Sequence, residues 1–297
     1  MKQRLINLQS TTYEHPFDRV ALEKLRALTG FDTVANFVLN WTNIKWNMVQ
    51  LCGSNFHVTK ESCPELYTLV HEAAETLDID RLPNIYTQWS YYVNAYTTGY
   101  KNDTILVLHT GAVDLMPDPE LTFVIGHELG HIKSGHVLYH VMGQVFAEII
   151  SSAVLAGKLL VPIQLALGYW NRMSEFTADR AGLLACQNLD ATLGAIMKMA
   201  GIPKRYFNIA DPHVFVKQAE EFMQQYGDTA NAIIRNISIL DDIHPWTVMR
   251  AYELVKWVDS GDYQKILDAH LGKQCPMCGQ FIESEAILCP VCGHKFG

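Results

Sequence analysis

The sequence predicts a predominantly helical α+β protein with a small metal-binding module at its C-terminus. Apolar residues recur at helical spacing through most of the 297 residues, which indicates amphipathic helices. Short segments rich in β-branched and aromatic residues, between positions 82 and 109, interrupt that pattern and predict a sheet of about three strands. Two Cys-X-X-Cys pairs near the C-terminus form a separate compositional unit.

Composition and charge exclude several classes of protein. A content of 49% hydrophobic and 18% charged residues allows a large core and excludes a wholly disordered chain. The net charge of −8 gives no overall positive field, so we expect no nucleic-acid partner. The N-terminus has no apolar signal-peptide stretch, and seven cysteines do not form the even set of a secreted disulfide framework. We therefore expect a cytoplasmic protein.

We expect residues 1 to about 80 to be mostly helical and the residues after them to form the sheet. Leu22, Leu25 and Leu28 lie on one stripe of a helix, and the same spacing predicts a helix over 64–77. The segments after it are short and are bounded by Pro, Gly, Asn and Asp, as strands are. The predicted strands are 82–88, 93–97 and 104–109.

From residue 117 to about residue 260 the apolar spacing is helical again. An aspartate followed by proline and glutamate, at 118–120, is typical of a helix start. The predicted helices in this part of the chain are 119–140, 143–171, 173–187, 190–200, 212–226, 228–239 and 245–258.

The strongest chemical signal is the pattern HExxH in the sequence His127-Glu128-Leu129-Gly130-His131. On a helix, residues four apart share a face, so both imidazoles can bind one metal ion while Glu128 lies beside it. The alternative, two histidines packed into a helical core by chance, is rare because buried imidazoles need partners. The pattern therefore predicts a zinc site.

A catalytic zinc ion usually has three protein ligands and a fourth position for water. Glu175, 44 residues after His131, is the best candidate for the third ligand. Asp179 lies one turn later on the same face and can accept a hydrogen bond from a ligating histidine. His136 follows His131 by five residues, and we expect a continuous helix to turn it to another face. The alternative for the two carboxylates is a solvated helix surface.

These patterns together resemble the zinc metallopeptidases related to HtpX and the CAAX prenyl protease, within the gluzincins. The resemblance covers about residues 65–255. The residues that carry it are Asn94-Ala95-Tyr96, the strand Ile105–Leu108, His127–Ile132 with Gly135-His136, Glu175–Gly182, and His244-Pro245 with Arg250.

The resemblance implies that the protein hydrolyses peptide bonds with the help of zinc, and it implies which residues form the site. Zinc lowers the pKa of water and polarises the scissile carbonyl, and a carboxylate then carries the proton. Peptide substrate would add to an edge strand at Asn94-Ala95-Tyr96. A loop histidine before proline is the plain alternative for His244. The implied zinc ligands are His127, His131 and Glu175, the catalytic acid/base is Glu128, and His244 and Arg250 line the site as possible oxyanion donors.

Segment 149–170 is long enough to cross a bilayer. Many members of the family that the chain resembles have transmembrane helices. Lys158 lies near its middle and Pro162 interrupts it, and a central lysine costs about 2.5–3.5 kcal/mol on insertion scales. A buried or amphipathic hairpin is therefore the favoured interpretation, and membrane contact is the alternative.

The C-terminal unit contains the pattern CPxCG twice. Each Cys-X-X-Cys offers two thiolates to one metal ion, and the glycine after the second cysteine permits a tight turn. A redox Cys-X-X-Cys is the competing interpretation, but the duplication favours a structural zinc ribbon. So short a module needs metal to fold, and its few basic residues do not favour nucleic acid. The predicted zinc ligands are Cys275, Cys278, Cys289 and Cys292.

We therefore predict an N-terminal helical region at 1–64, a zinc metallopeptidase domain at 65–262 and a zinc ribbon at 273–297. The expected function is zinc-dependent endopeptidase cleavage of protein or peptide substrates, including misfolded or damaged proteins. The expected cofactors are one catalytic and one structural Zn²⁺. The alternatives are a non-catalytic zinc-binding scaffold and a membrane-docked regulatory protease. Retention of Glu128 argues against the scaffold.

Overall fold

The computed structural model of the protein describes residues 3–28, 31, 42–100, 103–152, 157–226 and 246–296. Helices surround one small sheet, as the sequence predicts. The helices are α1 (Ser10–Tyr13), α2 (Pro16–Arg26), α3 (Thr42–Ser54), α4 (Pro64–Thr76), α5 (Thr110–Leu115), α6 (Asp118–Lys133), α7 (Val137–Ser152), α8 (Gly157–Cys186), α9 (Leu189–Met199), α10 (Pro212–Tyr226), α11 (Thr247–Asp259) and α12 (Asp262–His270).

The sheet has four strands in the order β1-β2-β4-β3. The three expected strands are present as β2 (Asn84–Gln88), β3 (Ala95–Tyr100) and β4 (Asp103–His109). Strand β1 (Phe56–Val58) adds antiparallel to β2, in a region that the sequence predicted to be helical. Strand β4 pairs in parallel with β2 and antiparallel with β3, so β3 forms one edge of the sheet.

Two of the predicted helix boundaries are wrong. Helix α6 ends at Lys133 rather than at residue 140, because Gly135 adopts a left-handed conformation with φ of +71° and turns the chain into α7. Helix α8 runs without a break through residues 171–173, since Trp170, Met173 and Phe176 continue one buried face. The predicted helix 228–239 lies outside the described residues.

Helices α6 and α8 carry the site and pack against each other at short range. A Cβ atom on Gly130 would lie 2.5 Å from the Cβ of Ala181, so only glycine permits this approach. The α6 residues from Leu121 to His131 are all buried. This close packing fixes the HExxH helix against the helix that carries Glu175.

Segment 149–170 spans the end of α7 and the start of α8, and residues 153–156 within it are not described. In the described part of the chain, no helix is both long enough and apolar enough to cross a bilayer.

The C-terminal unit contains the hairpin β5 (Gly272–Gln274) and β6 (Phe281–Glu283). Gly279 and Gly293 have φ of +72° and +74°, as expected for the glycine after each Cys-X-X-Cys. The unit is joined to the N-terminal segment, since the Gly272 N–H donates to the Arg4 carbonyl at 3.1 Å.

Candidate active site and metal centres

His127, His131 and Glu175 converge between α6 and α8. The Nε2 atoms of the two histidines are 3.2 Å apart. The Glu175 carboxylate places Oε2 3.4 Å from His127 Nε2 and Oε1 3.3 Å from His131 Nε2. All three side chains are buried, and Glu175 lies within α8 rather than at the start of a helix. The structure thus brings together the three residues predicted to bind zinc.

This donor set fits a zinc ion. Nitrogen and oxygen ligands of tetrahedral zinc, at about 2.0–2.2 Å from the metal, lie about 3.3–3.6 Å from one another. Two of the three separations given above lie in that range, and the third, between the two Nε2 atoms at 3.2 Å, lies just below it. Two imidazoles and one carboxylate also form the donor set of catalytic zinc sites, which leave a further position open.

The protonation of the two histidines is set by their neighbours. Burial lowers the pKa of His131 to about 4, so its imidazole is neutral at pH 7 and retains a nitrogen lone pair. Burial also lowers the pKa of His127, but hydrogen bonds to Asp179 and Glu175 outweigh this effect and raise that pKa to about 9. A zinc ion at this site would therefore displace a proton from His127.

Asp179 and Arg250 form a buried pair behind His127. Asp179 Oδ1 lies 2.9 Å from His127 Nδ1, so it can accept the imidazole proton and leave Nε2 directed at the metal position. Arg250 donates through Nε to Asp179 Oδ2 at 2.8 Å and through Nη2 to Oδ1 at 2.5 Å. Burial raises the pKa of Asp179, but Arg250 outweighs it and the net shift is downward. Asp179 is therefore an anion at neutral pH.

Arg250 lies at the site, as the resemblance implied, but its guanidinium is engaged with carboxylates. Its guanidinium is buried, makes a two-point contact with Asp179 and has Nη1 3.9 Å from Glu175 Oε2. Burial lowers the Arg250 pKa, but the Asp179 charge outweighs this and raises it. In the described structure Arg250 holds carboxylates in place, rather than presenting an uncommitted donor to an oxyanion.

His136 is not turned away from the metal site, which corrects the sequence-based expectation. Because α6 ends at Lys133 and the chain turns at Gly135, the His136 ring comes back against His131. The Nδ1 atoms of the two imidazoles are 3.0 Å apart. On its other side, His136 Nε2 lies 3.1 Å from Oδ2 of Asp18, which is in helix α2.

A cavity of about 20 Å³ lies beside the metal ligands. That volume accommodates about one water molecule. Glu128 lines the cavity together with His127, which puts a carboxylate and a metal ligand next to the same small space. The complete lining consists of Asn94, Ala95, Phe123, Val124, His127, Glu128, Met199 and Arg250.

The predicted substrate strand reaches the site with two of its three residues. Asn94 and Ala95 line the cavity, and Ala95 begins the edge strand β3. Tyr96 lies on the opposite face of the sheet, because successive side chains alternate. It packs there with Tyr86, and its hydroxyl donates to Gln88 Oε1 at 3.4 Å. Tyr96 is therefore not brought to the cavity.

Three more residues enter the comparison between the site predicted from the sequence and the site in the structure. His244 lies outside the described residues, so its predicted role stays a prediction. Asp18 and His136 were missed as site residues. Gly135 was the available signal for His136, because a glycine after the HExxH segment indicates a helix end. Asp18 gave no local signal, since its partners are more than 100 residues away.

The four cysteines of the C-terminal unit form a second donor set. Cys275 Sγ lies 3.6 Å from Cys292 Sγ, and Cys278 Sγ lies 3.6 Å from Cys289 Sγ. Sulfur ligands of tetrahedral zinc lie about 3.8 Å apart, so the arrangement fits a Cys₄ structural site. The two knuckles also match in backbone, with Gly279 N–H donating to Cys275 and Gly293 N–H to Cys289.

Comparison with known proteins agrees with this geometry. A family model for peptidase family M48 matches residues 61–258, two-thirds of the chain, and one for a zinc-ribbon domain matches residues 272–296. The chain belongs to peptidase family M48. It is a zinc-dependent metalloprotease that acts on protein or peptide substrates, with one catalytic and one structural zinc site.

Similar proteins occur in plants and bacteria. The plastoglobule-localized metallopeptidase 48 of Arabidopsis thaliana is 28% identical over 263 residues, covering 88% of this chain and 76% of the relative. A protease HtpX homolog of Ralstonia pickettii is 26% identical over 259 residues, covering 77% of this chain and 85% of the relative. An HtpX homolog of Thermodesulfovibrio yellowstonii is 33% identical over 95 residues, which cover 32% of this chain and 33% of the relative.

Proposed function

We propose that this M48 peptidase is an endopeptidase in which Glu128 is the general acid/base. The observation that carries the proposal is the cavity for about one water molecule, which Glu128 and the metal ligand His127 line together. From there Glu128 accepts a proton from the attacking water and donates it to the leaving amine. Its position one residue after His127 on a rigid, buried helix fixes this geometry.

His127, His131 and Glu175 would hold the zinc ion. When bound there, zinc polarises the substrate carbonyl and lowers the pKa of water. Asp179 orients His127, and Arg250 keeps Asp179 ionised and in place. Hydrolysis also needs a group that transfers the proton and a site that holds the substrate backbone, and residues of this chain supply both.

The edge strand β3 would bind the substrate backbone. The Asn94 carbonyl accepts a hydrogen bond from the His109 N–H at 3.1 Å, which turns these groups towards β4. Because antiparallel pairing alternates, the N–H and C=O groups of Ala95 and Thr97 point to the other edge. A peptide that adds there gains affinity from main-chain hydrogen bonds, with little side-chain selectivity.

Three exposed aromatic residues support unfolded polypeptides as substrates. Trp89, Tyr91 and Tyr92 precede Asn94 and are 75%, 84% and 78% exposed. The connection that carries them is anchored, since the Ser90 carbonyl accepts from the Thr110 hydroxyl at 3.0 Å and from the Gly111 N–H at 2.8 Å. This aromatic surface would bind the apolar side chains that misfolded or damaged proteins expose.

The location of the protein stays a prediction. The cysteine pattern supports a cytoplasmic protein, and segment 149–170 is the candidate for membrane contact. Carbonate extraction of membranes from expressing cells tests insertion of that segment, because release of the full chain into the soluble fraction would exclude a spanning helix.

The test of the proposed function replaces Glu128 by glutamine. Glu128→Gln removes the proton carrier without changing the metal ligands, so we expect two zinc ions per chain and a fall in casein cleavage of at least about 100-fold. Glu72→Gln is the matched control, because Glu72 also follows a histidine but lies exposed on α4 without a second histidine at HExxH spacing. Cleavage by Glu128→Gln at the wild-type rate would overturn the proposal and favour another proton carrier.

A further inference from the structure

A chain of buried side chains connects His131 to a carboxylate from the N-terminal part of the protein. His131 Nδ1 lies 3.0 Å from His136 Nδ1, and His136 Nε2 lies 3.1 Å from Asp18 Oδ2. Each of the three residues is at least 97% buried. Asp18 is in α2, outside the residues 61–258 that match the M48 family.

Binding of a metal ion by His131 Nε2 would fix the arrangement of protons along these contacts. Asp18 Oδ2 accepts the proton on His136 Nε2, which leaves a lone pair on His136 Nδ1. That lone pair accepts the proton on His131 Nδ1, which in turn leaves the His131 Nε2 lone pair directed at Glu175 and His127. The outer partner of a metal-binding histidine fixes its tautomer and ring orientation in this way.

Asp18 is itself held firmly. Trp170 Nε1 donates to Asp18 Oδ1 at 2.8 Å, and the Thr177 hydroxyl donates to Oδ2 at 2.6 Å. Both donors are on α8, the helix that carries Glu175, so the carboxylate is locked to the same element as the third metal ligand. The ring of Trp170 also packs edge-on against His136, with centroids 5.4 Å apart.

We infer that Asp18 and His136 are positioning residues for the metal ligand His131, and that helix α2 is therefore part of the catalytic unit. Each of the two zinc-binding histidines is then oriented by a carboxylate, and the two carboxylates come from different parts of the chain. Asp179 holds His127 directly, and Asp18 holds His131 through His136. The inference rests on the proposed role of His131 as a zinc ligand, and it adds Asp18, a residue beyond the family match, to the surroundings of the metal site.

The test compares zinc affinity at the catalytic site among full-length variants. His136→Phe keeps an aromatic ring beside Trp170 but removes both hydrogen bonds, whereas His136→Asn keeps an oxygen that can accept from His131. Asp18→Asn removes the charge at nearly constant size. Trp170→Phe is the matched control, because it removes a hydrogen bond to the same carboxylate while keeping an aromatic ring beside His136.

Two readouts need no substrate. Competition with a chromophoric chelator gives the zinc affinity, and the visible absorption of Co²⁺ in place of zinc reports the geometry of the N₂O site. The Cys₄ ribbon in the same molecule is an internal reference, since its thiolate absorption is distinct and is not expected to change. Failure of wild type to cleave casein would count against the proposed function alone.

We expect His136→Phe to weaken zinc binding at the catalytic site about 10–100-fold. We expect Asp18→Asn to weaken it less, His136→Asn to restore most of the affinity, and Trp170→Phe to weaken it less than Asp18→Asn does. Wild-type affinity and an unchanged Co²⁺ spectrum in both His136→Phe and Asp18→Asn would overturn the inference. Equal losses in Trp170→Phe and Asp18→Asn would also overturn it, because they would show general support of the fold.

Discussion

At the scale of single residues, the catalytic site depends on buried carboxylates that do not themselves bind the metal. Asp179 lies 2.9 Å from His127 Nδ1 and receives two hydrogen bonds from Arg250. Desolvating a carboxylate is costly, and a guanidinium with two parallel N–H donors is the partner that best offsets that cost. Arg250 therefore acts on the metal site through Asp179.

Arg250→Met tests this role of the arginine. The substitution leaves Asp179 buried without its cationic partner, so we expect the free energy of unfolding to fall by about 3–5 kcal/mol, with weaker binding of the catalytic zinc. Urea unfolding and zinc competition measure the two effects. A loss of stability below about 1 kcal/mol together with a lower kcat would contradict this account and return Arg250 to the role of oxyanion donor.

The sequence could predict the residues of the site that depend on local spacing. His127 and His131 are four residues apart, and so are Glu175 and Asp179. Each interval lies within a single helix, so it can be recognised in the sequence without knowledge of the fold. The partners of those residues could not be predicted in the same way. Arg250 and Asp18 reach the site only because α11 and α2 pack against α8, which depends on tertiary structure.

At the scale of elements, the distance between α6 and α8 determines where the ligands meet. Two ligands are on α6 and one is on α8, and Gly130 lies between the two histidines at a point where the helices approach closely. A glycine inside a helix costs about 1 kcal/mol relative to alanine. The short contact with Ala181 explains why that cost is tolerated.

Gly130→Ala should therefore destabilise the protein although alanine favours helices. The added methyl group would lie 2.5 Å from Ala181 Cβ, so we expect a loss of about 1–3 kcal/mol and weaker zinc binding as the helices separate. Gly168→Ala is the control on α8, since its new Cβ would lie 3.7 Å from the nearest neighbouring atom, Arg172 Nη1. Thermal unfolding should show Gly168→Ala at least as stable as wild type, and equal behaviour of both variants would contradict the packing argument.

The aromatic surface of Trp89, Tyr91 and Tyr92 belongs to the connection between β2 and β3. Replacing all three by serine should raise KM for unfolded casein about tenfold, equivalent to about 1.4 kcal/mol, and leave the cleavage of a short peptide unchanged. Tyr206→Ser, at an exposed aromatic residue outside this connection, is the control. An unchanged KM for casein in the triple variant would remove this surface from substrate binding.

Element boundaries were predicted less well than element types, for identifiable reasons. The apolar pattern continues past Lys133, so the break at Gly135 was overlooked and His136 was assigned to the wrong face. Strand β1 is only three residues long, which is too short for its alternation to be recognised. It is stabilised by pairing with β2, a contact that no local pattern records.

At the scale of the whole molecule, segments far apart in sequence meet around the peptidase core. Leu5 pairs with Leu271 in a β-bridge, and the Asn7 side chain donates to Glu283 Oε1 at 2.6 Å. The N-terminal segment thus contacts the ribbon, while α2 packs on α8 and delivers Asp18. These contacts join the two sides of the division at residue 64, and that division stays a prediction.

The central claim is that His127, His131 and Glu175 together bind one zinc ion. Anomalous scattering measured at the zinc absorption edge on crystals of the full chain tests it most directly. The account predicts two strong peaks, one among the four cysteine sulfurs and one at about 2.0–2.2 Å from both Nε2 atoms and a Glu175 oxygen. A single peak at the ribbon, or a second peak that Glu175 does not contact, would contradict it.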